Sequence, residues 1–464
     1  MADAELSPEA QAAADFAETL NSGDIAWIIT SSALVLLMIP GVGFFYSGLA
    51  RRKSALSLLF LCMMSVAVVG FEWFFWGYSL AFASDASAFI GTLKHFGLMD
   101  VMRSDEYAPM TTLFILFQGM FAAITPALAI GAAADRARIL PAIVFIFVWS
   151  TIVYNPIACW TWNGNGWSAV MGGLDFAGGT PVHISSGTAA LAYSLMLGKR
   201  TGYNKTNGLP YRPHNVTHVV LGTVFLWVGW FGFNGGSELA ANERAAMTCL
   251  VTHIAACMGA ITWCLLDLRL DNKYSVIGFC SGAISGLVAI TPGSGFVSPW
   301  AAVIFGIVGG IVCNFATKLK FLIGVDDALD IFAVHGIGGF AGNLLTGLFA
   351  DSNIASLNGS EVDPLGWVDG HYIQLAYQLA DSCAGMAYSF VLTCLILFLM
   401  NLVPGLSLRA SKSDEDEGLD DTQLGEFAYD YVEISRHLAD YTHSEHSDEN
   451  AAEKGTAVSP TKTD

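Results

Sequence analysis

The sequence predicts an all-α polytopic membrane protein with eleven transmembrane helices, built as two inverted five-helix repeats plus an eleventh helix. Three observations predict it. Of 464 residues, 54% are hydrophobic and 13% charged, against about 25% charged in a soluble domain, and the mean hydropathy is +0.52. Eleven apolar stretches are each close to the ~20 residues that cross a bilayer. Lys and Arg fall almost wholly on one set of the loops between those stretches. This composition excludes an ordinary soluble enzyme. Thirty Phe, 14 Tyr and 12 Trp exclude a disordered or collagen-like chain.

The first span, 26–50, follows an acidic segment with no basic stretch ahead of an apolar run, which is not a cleavable signal pattern. Spans 54–83 and 371–402, like the first, exceed the minimum and have length to tilt. Between them lie 110–133, 139–160, 178–198, 215–236, 245–268, 276–292, 298–317 and 329–350. An odd number of spans puts the termini on opposite sides. Eighteen of the 21 basic residues then share one side, and only Lys94, Arg103 and Arg244 lie on the other. Basic loops stay in the cytoplasm. This makes 1–25 an extracellular segment, 26–402 the membrane domain and 403–464 a cytoplasmic tail.

The net charge of −19 belongs to the ends. The tail holds fifteen acids and five bases, and residues 1–24 hold six acids and no base. Both read as solvated segments. No basic face exists for nucleic acid. Nine cysteines include no CxxC pair and read as small hydrophobes rather than a disulfide framework. Of three sequons, Asn204 and Asn215 fall on the cytoplasmic side and Asn358 outside.

The repeats rest on a glycine echo. Gly41-Val42-Gly43-Phe44-Phe45-Tyr46-Ser47-Gly48 in span one resembles Gly229-Trp230-Phe231-Gly232-Phe233-Asn234-Gly235-Gly236 in span six. Small residues let membrane helices pack closely, and a separation of five spans fits inverted repeats.

Ionisable residues within spans are expensive and face a cavity or the bundle interior. His183 in span five and His335 in span ten occupy equivalent positions under the repeat, so their imidazoles can meet on its axis. Each taken singly is equally well a satisfied interior histidine. Two histidines without a nearby acid or thiolate fall short of a metal site. His253 in span seven reads as structural, and His214 and His218 as interfacial. Asp175 suits a helix N-cap, and an acid there also adds negative potential for a cation. Asp326, Asp327 and Asp330 read as capping groups before span ten. Glu72 in span two reads as a buried hydrogen-bonded group.

Phe117 and Phe121 lie four apart on one helix face, as do Phe233 and Ser237. If they converge with Trp162, they form an aromatic cup with one hydroxyl. Such a cup attracts a small cation by about 2 kcal/mol when desolvated.

With these residues in view, the chain resembles the ammonium transporter, methylammonium permease and Rh family, most of all its fungal members. The motifs are Ile39–Gly48, Asp175–His183, Gly229–Ser237 and Asp326–Gly339, with Gly418-Leu419-Asp420 and Gly425–Tyr429 in the tail. Leu424 replaces a histidine common in other branches. The resemblance implies a homotrimer in the plasma membrane, with a pore in each subunit for ammonium or methylammonium. By motif position it makes Phe121, Trp162 and Ser237 the external substrate site and Phe121 and Phe233 a stacked gate. It makes His183 and His335 the paired pore histidines and Asp175 the acid essential to transport. No nucleophile–base–acid set or cofactor motif appears in the sequence, so no enzyme activity, cofactor or metal is expected. Two other readings stay open, a neutral ammonia or CO₂ channel and an ammonium sensor. Ser435, Ser444, Ser447 and Ser459 in the tail are candidate kinase targets.

Overall fold

Hydrocarbon offers backbone amides no partner, so an apolar segment must satisfy its own hydrogen bonds. The computed structural model describes residues 21–101, 111–203 and 212–429, and these are helical, with no strand among them. Ten of their helices are long and apolar enough to cross a membrane. In chain order the main helices are α1 (Ser22–Leu49), α2 (Ala55–Glu72), α3 (Thr111–Ile130), α4 (Ile139–Trp149) and α5 (Ser185–Leu197). They continue as α6 (Val216–Gly235), α7 (Glu243–Asp271), α8 (Val276–Ile290), α9 (Pro299–Ala316), α10 (Gly338–Phe349) and α11 (Gln374–Leu402). Outer rows carry exposed apolar side chains such as Phe71, Leu265 and Val391, as expected where the solvent is lipid.

The helix outside those ten is α5. Its sequence is rich in Ser, Thr, Gly and Ala, and ten of its thirteen residues are buried in protein. A helix enclosed by other helices has no need of the apolar surface that lipid demands.

Several helix pairs cross through glycines, α7 with α8 and with α9 among them, and two of the crossings join elements five apart. Gly41 and Gly48 of α1 lie against Gly222 and Asn215 at the start of α6, while Leu34 and Ser31 meet Gly229 and Gly232. Rising numbers on one helix meet falling numbers on the other, so α1 and α6 are antiparallel. The same holds for α5 and α10. A Cβ on Gly187 would overlap the backbone of Gly336, and Gly339 lies against the Cβ of His183.

Among the described residues, five segments wind as π-helix. Two of them, Gly179–Ile184 and Phe332–Ile337, lead into α5 and α10 and carry His183 and His335. Such turns concentrate at functional sites because the extra residue re-aims the side chains around it.

The tail packs back on one end of the bundle. Ser54 before α2 and Arg138 before α4 make no side-chain capping bond, so first-turn amides there lack a local acceptor. The tail supplies one at each. Asp420 accepts from the amides of Leu56 (3.0 Å) and Ser57 (2.8 Å) and from the Ser57 hydroxyl (2.5 Å). Gln423 Oε1 accepts from the Ile139 amide at 3.0 Å. Glu415 accepts from the amide and hydroxyl of Thr201, and Asn215 Nδ2 donates to the Tyr429 hydroxyl at 2.8 Å.

The aspartates before span ten divide. Asp327 caps, accepting from the Phe332 amide at 2.9 Å. Asp326 instead takes a two-pronged bond from Arg200, with Nε and Nη2 each at 2.9 Å, and Asp330 pairs with Lys320 at 2.7 Å. Capping holds for one of the three, because Arg200 from another loop claims Asp326 and Lys320, ten residues earlier in the same connection, claims Asp330. Glu72 is buried and accepts from Asn155 Nδ2 at 2.7 Å and the Thr151 hydroxyl at 3.1 Å. The four candidate serines of the tail, Asn204 and Arg103 lie outside the described residues.

Candidate functional site

The aromatic residues converge. Phe117 and Phe121 on α3 have ring centroids 4.9 Å apart, and Trp162 stands edge-on to Phe121 at 5.9 Å. Trp162 Nε1 donates to the carbonyl of Asp175 at 3.0 Å, which ties the cup to the segment before α5. Ser237 follows α6, and its hydroxyl donates to the Phe233 carbonyl at 2.8 Å. Its proton is thereby used, and its lone pairs stay free to accept from an N–H donor.

Phe233 stacks on Phe121 with centroids 4.2 Å apart and planes 30° apart. Both rings are wholly buried. At that separation they are in van der Waals contact, so nothing passes between them without a ring moving.

On the other side of Phe233 comes His183, stacked on it at 5.9 Å and on Trp230 at 5.5 Å. His183 Nδ1 lies 3.2 Å from His335 Nδ1. A bond between two like nitrogens needs one as donor and one as acceptor. In neutral imidazoles, the ring that donates through Nδ1 has a bare Nε2, and the other ring carries its hydrogen on Nε2. The pair therefore offers one donor and one acceptor to anything passing. His183 Nε2 is buried and has no protein partner.

A cavity of about 290 Å³ runs from Phe233, Trp230 and the two histidines to Asp330, Thr317 and Pro213 at the tail end of the bundle. Its walls are mostly apolar, with Val42, Leu128, Ile284 and Val334 among them.

Asp175 sits below the cup as a cap. Oδ1 accepts from the amides of Gly178 (2.8 Å) and Gly179 (2.7 Å), and Oδ2 from the amide of Thr180 (2.7 Å). Gly178 at φ +113° makes this turn possible, since a side chain there is strained. The carboxylate is thus bound to the backbone of the turn that carries His183.

Sequence reasoning missed Trp230, which stacks beside His183. Its signal was its place three residues before Phe233, on the same face of α6. His253 stays outside the site. It is exposed on α7, against Trp227 (5.6 Å) and Phe231 (6.2 Å). No group of three or more metal-ligating side chains gathers among the described residues.

Comparison with known proteins identifies relatives of this chain. The family model described as Ammonium Transporter Family matches residues 26–429. The chain is 61% identical to ammonium transporter 1 of Schizosaccharomyces pombe over 415 residues, covering 89% of this chain and 83% of that protein. It is 48% identical to ammonium transporter MEP2 of Saccharomyces cerevisiae, covering 88% and 83%. The crystal structure of Candida albicans Mep2 superposes with a TM-score of 0.81 at 49% identity, covering 86% of this chain and 88% of that one. With nearly its whole membrane body matched in sequence and in fold, the chain belongs to the ammonium transporter family.

Proposed function

We propose that this protein is a plasma-membrane ammonium transporter that binds ammonium at Phe121, Trp162 and Ser237, removes a proton there and carries net ammonium inward past His183 and His335. The observation that carries the mechanism is the hydrogen-bonded histidine pair at the head of an apolar cavity, directly behind the Phe121–Phe233 stack.

The energetics favour a divided passage. A bare ion entering that cavity loses hydration worth tens of kcal/mol, whereas one cation–π contact gives about 2 kcal/mol. The cup therefore serves to gather the cation, and neutral ammonia crosses the apolar stretch. Inside, ammonia donates to the bare imidazole nitrogen and accepts from the other ring. The proton given up at the cup has a separate route: it enters at the bare Nε2 of one ring, the shared Nδ1 hydrogen crosses to the other ring, and that ring releases its Nε2 hydrogen towards the cavity, so charge and ammonia both cross and neutral imidazoles remain. Asp175 fixes the turn that bears His183 and adds negative potential beneath the cup.

The same reading takes α5 as an eleventh span and the tail face as cytoplasmic. The antiparallel glycine crossings of α1 with α6 and of α5 with α10 support inverted repeats, since they pair elements five apart. The assembly proposed is a homotrimer with one pore per subunit, and a kinase acting on the tail is a further proposed partner.

The test is current across liposomes holding the full-length protein after an ammonium jump. We expect a saturable inward positive current, abolished by His183→Ala and reduced by Phe121→Ala. Internal alkalinisation without current would mean that neutral ammonia alone passes. Neither signal would leave a sensor as the better account.

A further inference from the structure

Asp381, two turns into α11, is 3% exposed, and an ionisable residue inside a span is costly and marks a candidate functional position. All its donors are neutral. The Ser168 hydroxyl donates to Oδ1 at 2.6 Å, the Thr180 hydroxyl donates to Oδ2, and Asn343 Nδ2 approaches Oδ2 at 3.5 Å. Thr180 is the residue whose amide binds Asp175. Its hydroxyl also accepts from Asn343 Nδ2 at 2.7 Å, and Asn343 in turn donates to the Ser382 hydroxyl at 2.9 Å.

One helical turn earlier, Gln378 grips the other side of Asp175. Its Oε1 accepts from the Leu174 amide at 2.7 Å, and its Nε2 donates to the Leu174 carbonyl at 2.6 Å. Gln374 Nε2 donates to the Gly172 carbonyl at 2.8 Å. One polar stripe of α11 thus holds the segment before Asp175 and the turn after it. That segment reaches the cup through Trp162 and the pore through His183.

We propose that Asp381 is a positioning residue for transport: by fixing the direction of the Thr180 hydroxyl it sets the turn that places Asp175 and His183 relative to Trp162. The inference rests on the roles proposed for Asp175 and His183. The physical reason lies in the acceptor. A carboxylate offers only acceptors, so both hydroxyls must point their hydrogens at it. An amide at 381 presents NH₂ to one of them and reverses that polarity. Displacing a site by about 1 Å can slow a reaction about 100-fold.

The test uses the full chain in liposomes, with ammonium current and half-saturating concentration read together. Asp381→Asn and Thr180→Val should each lower maximal current about 10–100-fold. Thr180→Ser, which keeps the hydroxyl, should stay within about twofold of the parent. The double variant should be no worse than the weaker single, as for residues acting as one unit. Ser168→Ala, which touches Asp381 but not the turn, should transport normally. If Asp381→Asn fails to fold, the contrast between Thr180→Val and Ser168→Ala carries the test. Parental current in Asp381→Asn or in Thr180→Val, multiplicative losses in the double variant, or equal losses in Thr180→Val and Thr180→Ser would overturn the inference. So would equal losses in Thr180→Val and Ser168→Ala. Asp175→Ala separates the two layers. Its loss beside normal Asp381→Asn overturns this inference alone, whereas its normal transport overturns the site reading as well.

Discussion

Gly187 and Gly336 touch backbone to backbone where α5 crosses the π-helical turn ahead of α10, four residues past His183 and one past His335. A single Cβ on Gly187 would overlap the amide nitrogen of Gly336. The 3.2 Å bond between the histidines depends on this approach.

Gly187→Ala should therefore separate the imidazoles. Overpacking a tight crossing costs about 1–3 kcal/mol, which a protein of this size survives. A shift of even 1 Å breaks the bond between the rings. We expect a folded variant with a lowered melting temperature and little ammonium current. Parental current would show that the pore does not need the rings in contact.

Ser237 can only accept, because its hydrogen goes to the Phe233 carbonyl. A hydrogen bond to a charged group is worth about 1.5–3 kcal/mol. Ser237→Ala should raise the half-saturating ammonium concentration about tenfold or more and leave the maximal current near that of the parent, since the gate and the histidines are untouched. A fall in maximal current at unchanged half-saturation would move Ser237 from recruitment to a later step.

These two sites differ in how far the sequence reveals them. Phe121, Phe233 and Ser237 could be read because spacing of four on an apolar helix puts side chains on one face. His183 and His335 could be read because a polar ring in an apolar span has few other uses. The π-helical turns that aim those rings left no trace, since hydrophobic periodicity does not register one extra residue. Asp381, Gln378 and Gln374 had a signal, a polar row at three- and four-residue spacing in α11, but its partners at 168–180 are about two hundred residues away. Asp326 was misread for the same reason. Its neighbours suggested a cap, whereas Arg200, 126 residues away, decides its role.

The tail makes that distance explicit. Asp420 caps α2 from 363 residues away, at a helix start whose own Ser54 makes no cap bond. Burial pushes its carboxyl up, while bonds from Ser57 and Leu56 work against that. Loss of a cap costs about 0.5–2 kcal/mol. Asp420→Ala should speed amide exchange at residues 55–58 and make the segment after 411 cleavable by protease under native conditions. Removing residues 431–464 should change neither. Unchanged exchange in Asp420→Ala would mean that the tail rests on α2 without capping it.

The cluster of Asp135, Arg200 and Asp326 sets a pH dependence with a defined sign. Arg200 Nη1 donates to Asp135 at 2.9 Å while Nε and Nη2 hold Asp326, and Arg51 Nε lies 3.2 Å from Asp135. Burial pushes both carboxyls up, but Arg200, with Arg51 at Asp135 and Arg136 at Asp326, outweighs it and holds both below the usual range. A carboxyl lowered by folding contributes stability above its unfolded value of about 3.9, and that stability is lost as pH falls through the folded value. Arg200→Met removes the shared cation and leaves Asp326 buried without its partner, a loss of about 3–5 kcal/mol at neutral pH. Protonation relieves that loss. The melting temperature, followed by tryptophan fluorescence, should thus lie well below that of the parent at neutral pH, and the gap should narrow as pH falls, first above about 4 as the unpartnered Asp326 takes up its proton and further below about 4 as the parent's own carboxyls protonate. A gap of constant size across that range would assign the loss to packing, and the charge argument for this cluster would fail.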